Sequence, residues 1–132
     1  MFWWSKRREL ARDGERAAVQ YLKRKGLRIL ARNWSCRQGE LDIVALDGRQ
    51  IVFVEVKTRQ TDEPAEPYEA VTPLKQRNLT RTALTYLKKH KLLEYPARFD
   101  VIAVAWPENA SEPKVTHVVN AFEPPDRFQL FS

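Results

Sequence analysis

Cys36 is the only cysteine in the chain, so no internal disulfide can form and no second thiolate is available to share a metal ion. That fits a reducing compartment, and a cytoplasmic location is expected. No apolar run approaches the ~20 residues that a membrane-spanning helix needs, so no membrane partner is expected. The opening stretch MFWWSKRR is aromatic but short, and its charges follow the apolar residues instead of preceding them. It is not expected to act as a signal peptide; Phe2, Trp3 and Trp4 are expected to pack on the body of the protein or on a partner. Internal repeats and low-complexity tracts are missing, as are Ser/His/Asp, Walker and dinucleotide-binding patterns. His90 and His117 have no Cys/His ligand spacing around them, which favours packing or surface roles over zinc.

What is present is a soluble globular composition, 43% apolar and 30% charged, over 132 residues. That length suits one domain with a real core. The net charge of +6 is uneven. Residues 1–40 hold 11 basic and 4 acidic side chains, and residues 73–98 hold 7 and 1. Between them, residues 41–72 hold 3 basic and 7 acidic side chains, and residues 99–132 hold 2 and 5. Basic surface of this kind suits a polyanion such as nucleic acid, because neutralised phosphates release condensed counterions; solubility alone is the plainer explanation.

Helical periodicity over 6–25 gives a stripe of Leu10, Ala11, Gly14, Ala17, Ala18, Tyr21 and Leu22, with Glu15 at its edge and Gly26 as a C-cap. LRILARNW (27–34) reads as a strand of mixed burial. Asp47-Gly48 between ELDIVAL and RQIVFVEVKTR signals a two-residue hairpin. Residues 60–72 read as a polar loop. Thr72-Pro73 opens a basic amphipathic helix over 73–91 with Leu79, Ala83, Tyr86 and Leu87 inward. RFDVIAVAW (98–106) and KVTHVVNAF (114–122) complete an α-β-β-β-α-β-β order, which suggests an α/β fold with a central mixed sheet flanked by helices. Trp34 and Trp106 are expected core aromatics, although an exposed Trp34 could stack a base.

The strand IVFVEVKTR carries Glu55 and Lys57 among apolar residues, where an unpaired charge costs several kcal/mol. A turn centred on 47–48 pairs Leu46 with Arg49, Val44 with Ile51, Asp42 with Phe53 and Glu40 with Glu55. Alternation then gathers Glu40, Asp42, Glu55 and Lys57 on one face, with Asp42 and Glu55 diagonal neighbours roughly 7–8 Å apart. A slip of two residues would keep them on one face, and a three-residue loop would not. Carboxylates this close need protons or a cation, and hard oxygen ligands suit Mg²⁺ or Mn²⁺. The plainer alternative is an edge strand with solvated charges and a Glu40–Lys57 or Glu55–Lys57 ion pair.

GE at 14–15, NW at 33–34, GELDIVA at 39–45, FVEVKTR at 53–59, KQR at 75–77, RFDVIAV at 98–104 and NAF at 120–122 together resemble the YraN-like family of bacterial proteins. Those are regarded as predicted endonucleases similar to archaeal Holliday-junction resolvases, in the PD-(D/E)XK, restriction-endonuclease-like superfamily. The resemblance covers about residues 9–122 and implies one nuclease-like domain over 1–132, with an αβββαβ core and terminal extensions at 1–8 and 123–132.

The same resemblance implies a Mg²⁺- or Mn²⁺-dependent endodeoxyribonuclease, structure-selective for branched or single-stranded DNA in repair or recombination. Asp42 and Glu55 match its metal-binding carboxylates, Lys57 its catalytic lysine and Glu15 its helix-borne glutamate. The Val56 carbonyl is expected as a further metal ligand, Glu15 is expected to reach the ion directly or through water, and Glu40 and Lys75 match accessory positions. A proline-aspartate pair is replaced here by Leu41-Asp42. A homodimer is implied as well. Phosphate contacts are expected from Arg28, Arg32, Arg37, Lys75, Arg77, Arg81, Lys88 and Lys89. Two rival functions remain: a nuclease-fold protein that binds nucleic acid without cutting it, and a protein-interaction module.

Overall fold

Strand connectivity follows from one long crossover among short turns. The computed structural model describes residues 2–61 and 71–124, with only the backbone of residues 2–5. Helix α1 (Phe2–Arg24) leads into strands β1 (Arg28–Cys36), β2 (Gly39–Asp47) and β3 (Gln50–Gln60); helix α2 (Pro73–Lys89) leads into β4 (Ala97–Trp106) and β5 (Lys114–Phe122). The strands lie in sequence order, β1-β2-β3-β4-β5. Neighbours are antiparallel except β3 and β4, which run parallel because α2 carries the chain back across the sheet. The result is the expected α/β architecture, a mixed five-stranded sheet with two helices, consistent with a restriction-endonuclease-like core.

Alternation along β3 splits its apolar residues between two cores. Ile51 and Phe53 pack with Leu79, Ala83, Tyr86 and Leu87 of α2. Val52 and Val54 pack with Ala18, Val19 and Leu22 of α1. The sheet is therefore covered on both faces, which is why β3 and β4 read as near-continuous apolar runs. Thr72 caps α2 by accepting a hydrogen bond from the Lys75 amide (3.2 Å), and Pro73 opens the helix, as the sequence indicated.

Several expectations shift. Helix α1 starts at Phe2 rather than residue 6. The packing expected of Phe2, Trp3 and Trp4, and the polar loop at 62–70, lie outside the described residues. Ala11, expected inward, is exposed, and Val19, not expected, is buried. Trp34 is half-buried, its ring edge-on to Tyr86 with centroids 5.2 Å apart. The hairpin turn also moves by one residue. Asp47 pairs with Gln50, so the two loop residues are Gly48 and Arg49, and Gly48 takes a left-handed φ of 62° at the first loop position. Glycine leads this loop instead of ending it, and that sets a different register.

Candidate functional site

The register produced by that turn pairs Val44 with Phe53 and Ile43 with Val54. It is slipped by two residues from the expected one. Continued one step, it sets Asp42 directly opposite Glu55, where a diagonal contact was expected. The ladder stops just short of that step. In its place the Val56 amide donates to Asp42 Oδ2 at 2.8 Å. The two strands thus part at this point, and an aspartate side chain takes a hydrogen bond that a backbone carbonyl would otherwise accept.

Asp42 also marks a break in alternation. Ile43 and Ala45 belong to the α1-side core, so Leu41 should join them, yet Leu41 packs with Val44 on the α2 side. Across the sheet, β1 pairs Arg32 with Ile43 and Trp34 with Leu41. The residue between, Asn33, has φ 50°, a left-handed conformation that asparagine tolerates better than most residues. The expectation that Asp42 shares one face with Glu55 and Lys57 is therefore corrected. Glu55 and Lys57 follow Ile51 and Phe53 on the α2 side of β3, while Asp42 sits where the faces exchange and lines cavities on both.

The electrostatic consequence falls on Asp42. Burial, reinforced by the Glu55 charge, pushes its carboxyl up to about 8. The Val56 amide opposes the shift, while a hydrogen bond to the Glu55 carboxyl and the charge of Glu15 add to it. Two carboxyl groups set this close repel when both are ionised, and a proton on Asp42 or a cation between them relieves that repulsion.

Glu15 reaches the site because Gly14 lets α1 approach β3. A Cβ at Gly14 would overlap the Thr58 hydroxyl and methyl. The GE pair thus has a steric part and an electrostatic part. Gly14→Ala is expected to cost about 1–3 kcal/mol through overpacking, and Thr58→Ala added to it should recover part of the loss. Thermal denaturation of the single and double variants measures both; an unperturbed single variant would contradict the close approach.

Beside Glu15 lies a cleft of about 260 Å³ lined by Arg7, Leu10, Ala11, Asp42, Val56 and Thr58. Arg7 was not anticipated, although Arg7, Ala11 and Glu15 stand at i, i+4 and i+8 on one helix and the spacing was readable.

Other expected residues separate. Glu40 is exposed and is absent from the groups that shift Asp42, so it does not join the cluster; Glu15 takes that part. Neither ion pair imagined for Lys57 forms. Glu55 pairs instead with Lys75 of α2, Oε2 to Nζ 2.6 Å. Lys57 is half-buried. Arg28, Arg32, Arg37, Arg77, Arg81, Lys88 and Lys89 are all exposed. On α2, Arg77, Arg81 and Lys88 fall at helical spacing on the face turned away from Lys75.

A second buried carboxylate was missed. Asp100, 1% exposed, accepts from Arg98 Nε (3.0 Å), from the Asn120 amide (3.0 Å) and lies 2.8 Å from His117 Nε2. His117 is thus a partner of a buried acid, beyond the packing or surface role expected. Asn120 sits at a β5 irregularity with φ 55°, which turns its amide toward Asp100. The available signal was the one that drew attention to Glu55, an acid inside an apolar strand.

A family model described as "Uncharacterised protein family UPF0102" matches residues 14–104, which hold Glu15, Asp42, Glu55, Lys57, Lys75 and Asp100. A UPF0102 protein of Geotalea uraniireducens is 47% identical over 116 residues, covering 88% of this chain and 91% of the relative. One from Geobacter metallireducens is 48% identical over 116 residues, covering 88% and 93%. Another, from Rhodopirellula baltica, is 50% identical over 117 residues, covering 86% and 70%.

The chain belongs to the UPF0102 family.

In this UPF0102 member, no group of three or more His, Cys, Asp or Glu side chains stands close enough to hold a metal ion among the described residues. The contact that does exist is the Asp42–Glu55 carboxyl pair. Two carboxylates on hard oxygen suffice for Mg²⁺, which keeps several waters and takes further ligands from substrate phosphate. The donor chemistry fits such an ion. No helix among the described residues is long and apolar enough to cross a membrane.

Proposed function

We propose that this UPF0102 protein is a Mg²⁺- or Mn²⁺-dependent endonuclease that hydrolyses phosphodiester bonds in DNA, selecting branched or single-stranded structure. The observation that carries the reading is the Asp42–Glu55 pair, two apposed carboxyl groups, with the Glu15 charge acting on Asp42 from α1. Such crowding is costly unless a proton or cation occupies it. Asp42 and Glu55 would hold the ion, with the Val56 carbonyl as an additional ligand and Glu15 binding directly or through water. The chemistry such an ion supplies when bound is polarisation of the phosphate and a more acidic water.

The remaining steps belong to the chain. Lys57, on the same side of β3 as Glu55, orients the attacking water or stabilises charge developing on the phosphate oxygens. The Val56 amide fixes Asp42 at 2.8 Å, so its carboxyl does not reorganise as charge builds. Arg77, Arg81, Lys88 and Lys89 on α2, with Arg28, Arg32 and Arg37 around β1, contact backbone phosphates. Nothing in this set reads base edges, so recognition of DNA shape follows. A homodimer would present two such centres to one junction.

The test is to incubate the protein with Mg²⁺ or Mn²⁺ on four-way junction, flap, single-stranded and duplex DNA, beside Asp42→Ala and Lys57→Ala. Cleavage that needs the ion and disappears in both variants is expected. Binding without cleavage, unchanged in both, would favour a nucleic-acid-binding protein of the same fold. Neither binding nor cleavage would favour a protein-interaction module.

A further inference from the structure

The Glu55–Lys75 ion pair has an asymmetry that the proposed chemistry leaves unused. The Glu55 side chain is 12% exposed and that of Lys75 is 41% exposed. The acid is therefore committed to the interior, while the ammonium regains hydration if it swings into water. Lys75 sits in the first turn of α2, its amide held by the Thr72 hydroxyl at 3.2 Å, so the backbone beneath it is fixed while its long side chain can swing. Lys57, the other lysine on this side of β3, leaves the Glu55 carboxylate to Lys75.

We infer that Lys75 is the resident counter-cation of Glu55, which a divalent ion must displace to take that carboxylate, and that the displaced ammonium then serves the substrate phosphate. This rests on the metal-dependent reading of the Asp42–Glu55 pair. Before the ion arrives, Lys75 is a positioning residue in this account; after displacement it contacts substrate. It keeps Glu55 ordered beside Asp42 before the ion arrives, and it competes with the ion for the same oxygen. Once freed, it remains on the sheet-facing side of α2, beside the carboxylates it has left, whereas Arg77, Arg81 and Lys88 lie on the outer face of that helix. Occupancy of the metal site and binding of the phosphate beside it would thereby be coupled through one side chain.

The test measures Mn²⁺ affinity of the full chain by loss of the free-ion electron paramagnetic resonance signal, at constant pH and ionic strength. Wild type is compared with Lys75→Met, Lys75→Gln, Lys75→Arg and Asp42→Ala, with circular dichroism to show that each is folded. Removing the competing charge should tighten Mn²⁺ binding about tenfold in Lys75→Met and Lys75→Gln, the equivalent of ~1.4 kcal/mol, with Lys75→Arg near wild type. The same two neutral variants should bind single-stranded DNA more weakly in the presence of Mn²⁺. Unchanged or weaker Mn²⁺ binding in both neutral variants overturns the role of Lys75. If that happens while Asp42→Ala abolishes binding, the metal site stands and only the counter-cation role falls. If wild type binds no more Mn²⁺ than Asp42→Ala, the metal-dependent reading and this inference fall together.

Discussion

Asp100→Ala is expected to destabilise the protein by about 3–5 kcal/mol, seen as a fall in Tm on the order of 10 °C or more. The carboxylate sits in the interior of β4 and satisfies Arg98, His117 and the Asn120 amide together. The Arg98 side chain is only 10% exposed and would keep just its Asp47 and Gln50 contacts, both 2.9 Å. His117 would lose its partner, and the β5 irregularity at Asn120 would lose the acceptor that justifies it.

The same group sets an acid limit. Burial acts to raise the Asp100 carboxyl, but the His117 and Arg98 hydrogen bonds, the Asn120 amide and the Arg98 charge outweigh it and hold the carboxyl below its ordinary 3.8. A carboxyl lowered by folding contributes stability that is present above the unfolded value and lost as pH falls through the folded one. Wild type should therefore lose stability below about pH 4, and Asp100→Ala should lose less over that interval. Guanidinium titrations at pH 7 and pH 3 read both effects. An Asp100→Ala protein as stable as wild type at pH 7 would sink the account of this network.

Asp42→Asn is expected to act in the opposite direction, stabilising the protein when divalent ions are chelated. The Asp42 carboxyl is raised to about 8 against an ordinary 3.8. Between those values the folded protein holds a proton that the unfolded chain releases, so unfolding is progressively favoured as pH rises. Cation-free wild type should thus lose stability from about pH 4 to pH 8 through this group. Asparagine keeps an oxygen for the Val56 amide and offers an N–H to Glu55, while carrying no charge. The gain should be small at pH 5 and on the order of 2 kcal/mol at pH 8. Adding Mg²⁺ should raise the Tm of wild type at pH 8 and leave that of Asp42→Asn unmoved. Thermal scans with chelator and with Mg²⁺ check the pair of outcomes; a less stable Asn variant at pH 8 in chelator would contradict the crowding of the two carboxyls.

The Asp42 case also shows where local reasoning stops. A carboxylate and a lysine within IVFVEVKTR were legible as an anomaly, since apolar alternation states which residues a strand buries. The Asp-Gly turn was legible too, but its phase was not, because glycine can lead or end a two-residue loop. That single choice moved the register by two and set Asp42 one step beyond the last ladder pair, beside Glu55. The break in alternation at Asp42 depends on Asn33 of β1 adopting a left-handed conformation, a feature of three strands meeting. The partner of Glu55 lies on α2, beyond the reach of any argument confined to the hairpin.

The sequence by itself determined the order of helices and strands, most of the apolar faces, the cap of α2, and Asp42, Glu55 and Lys57 as charged residues set among apolar ones, while Glu15 entered through the family resemblance. It could do so because periodicity and residue type act locally along the chain. Only the tertiary structure decided that Glu15 and not Glu40 bears on Asp42, that Lys75 and not Lys57 neutralises Glu55, and that Asp100 anchors β4 to β5. Those outcomes rest on how closely α1 and α2 approach the sheet and on where strands part, which are properties of packed elements and not of any one of them.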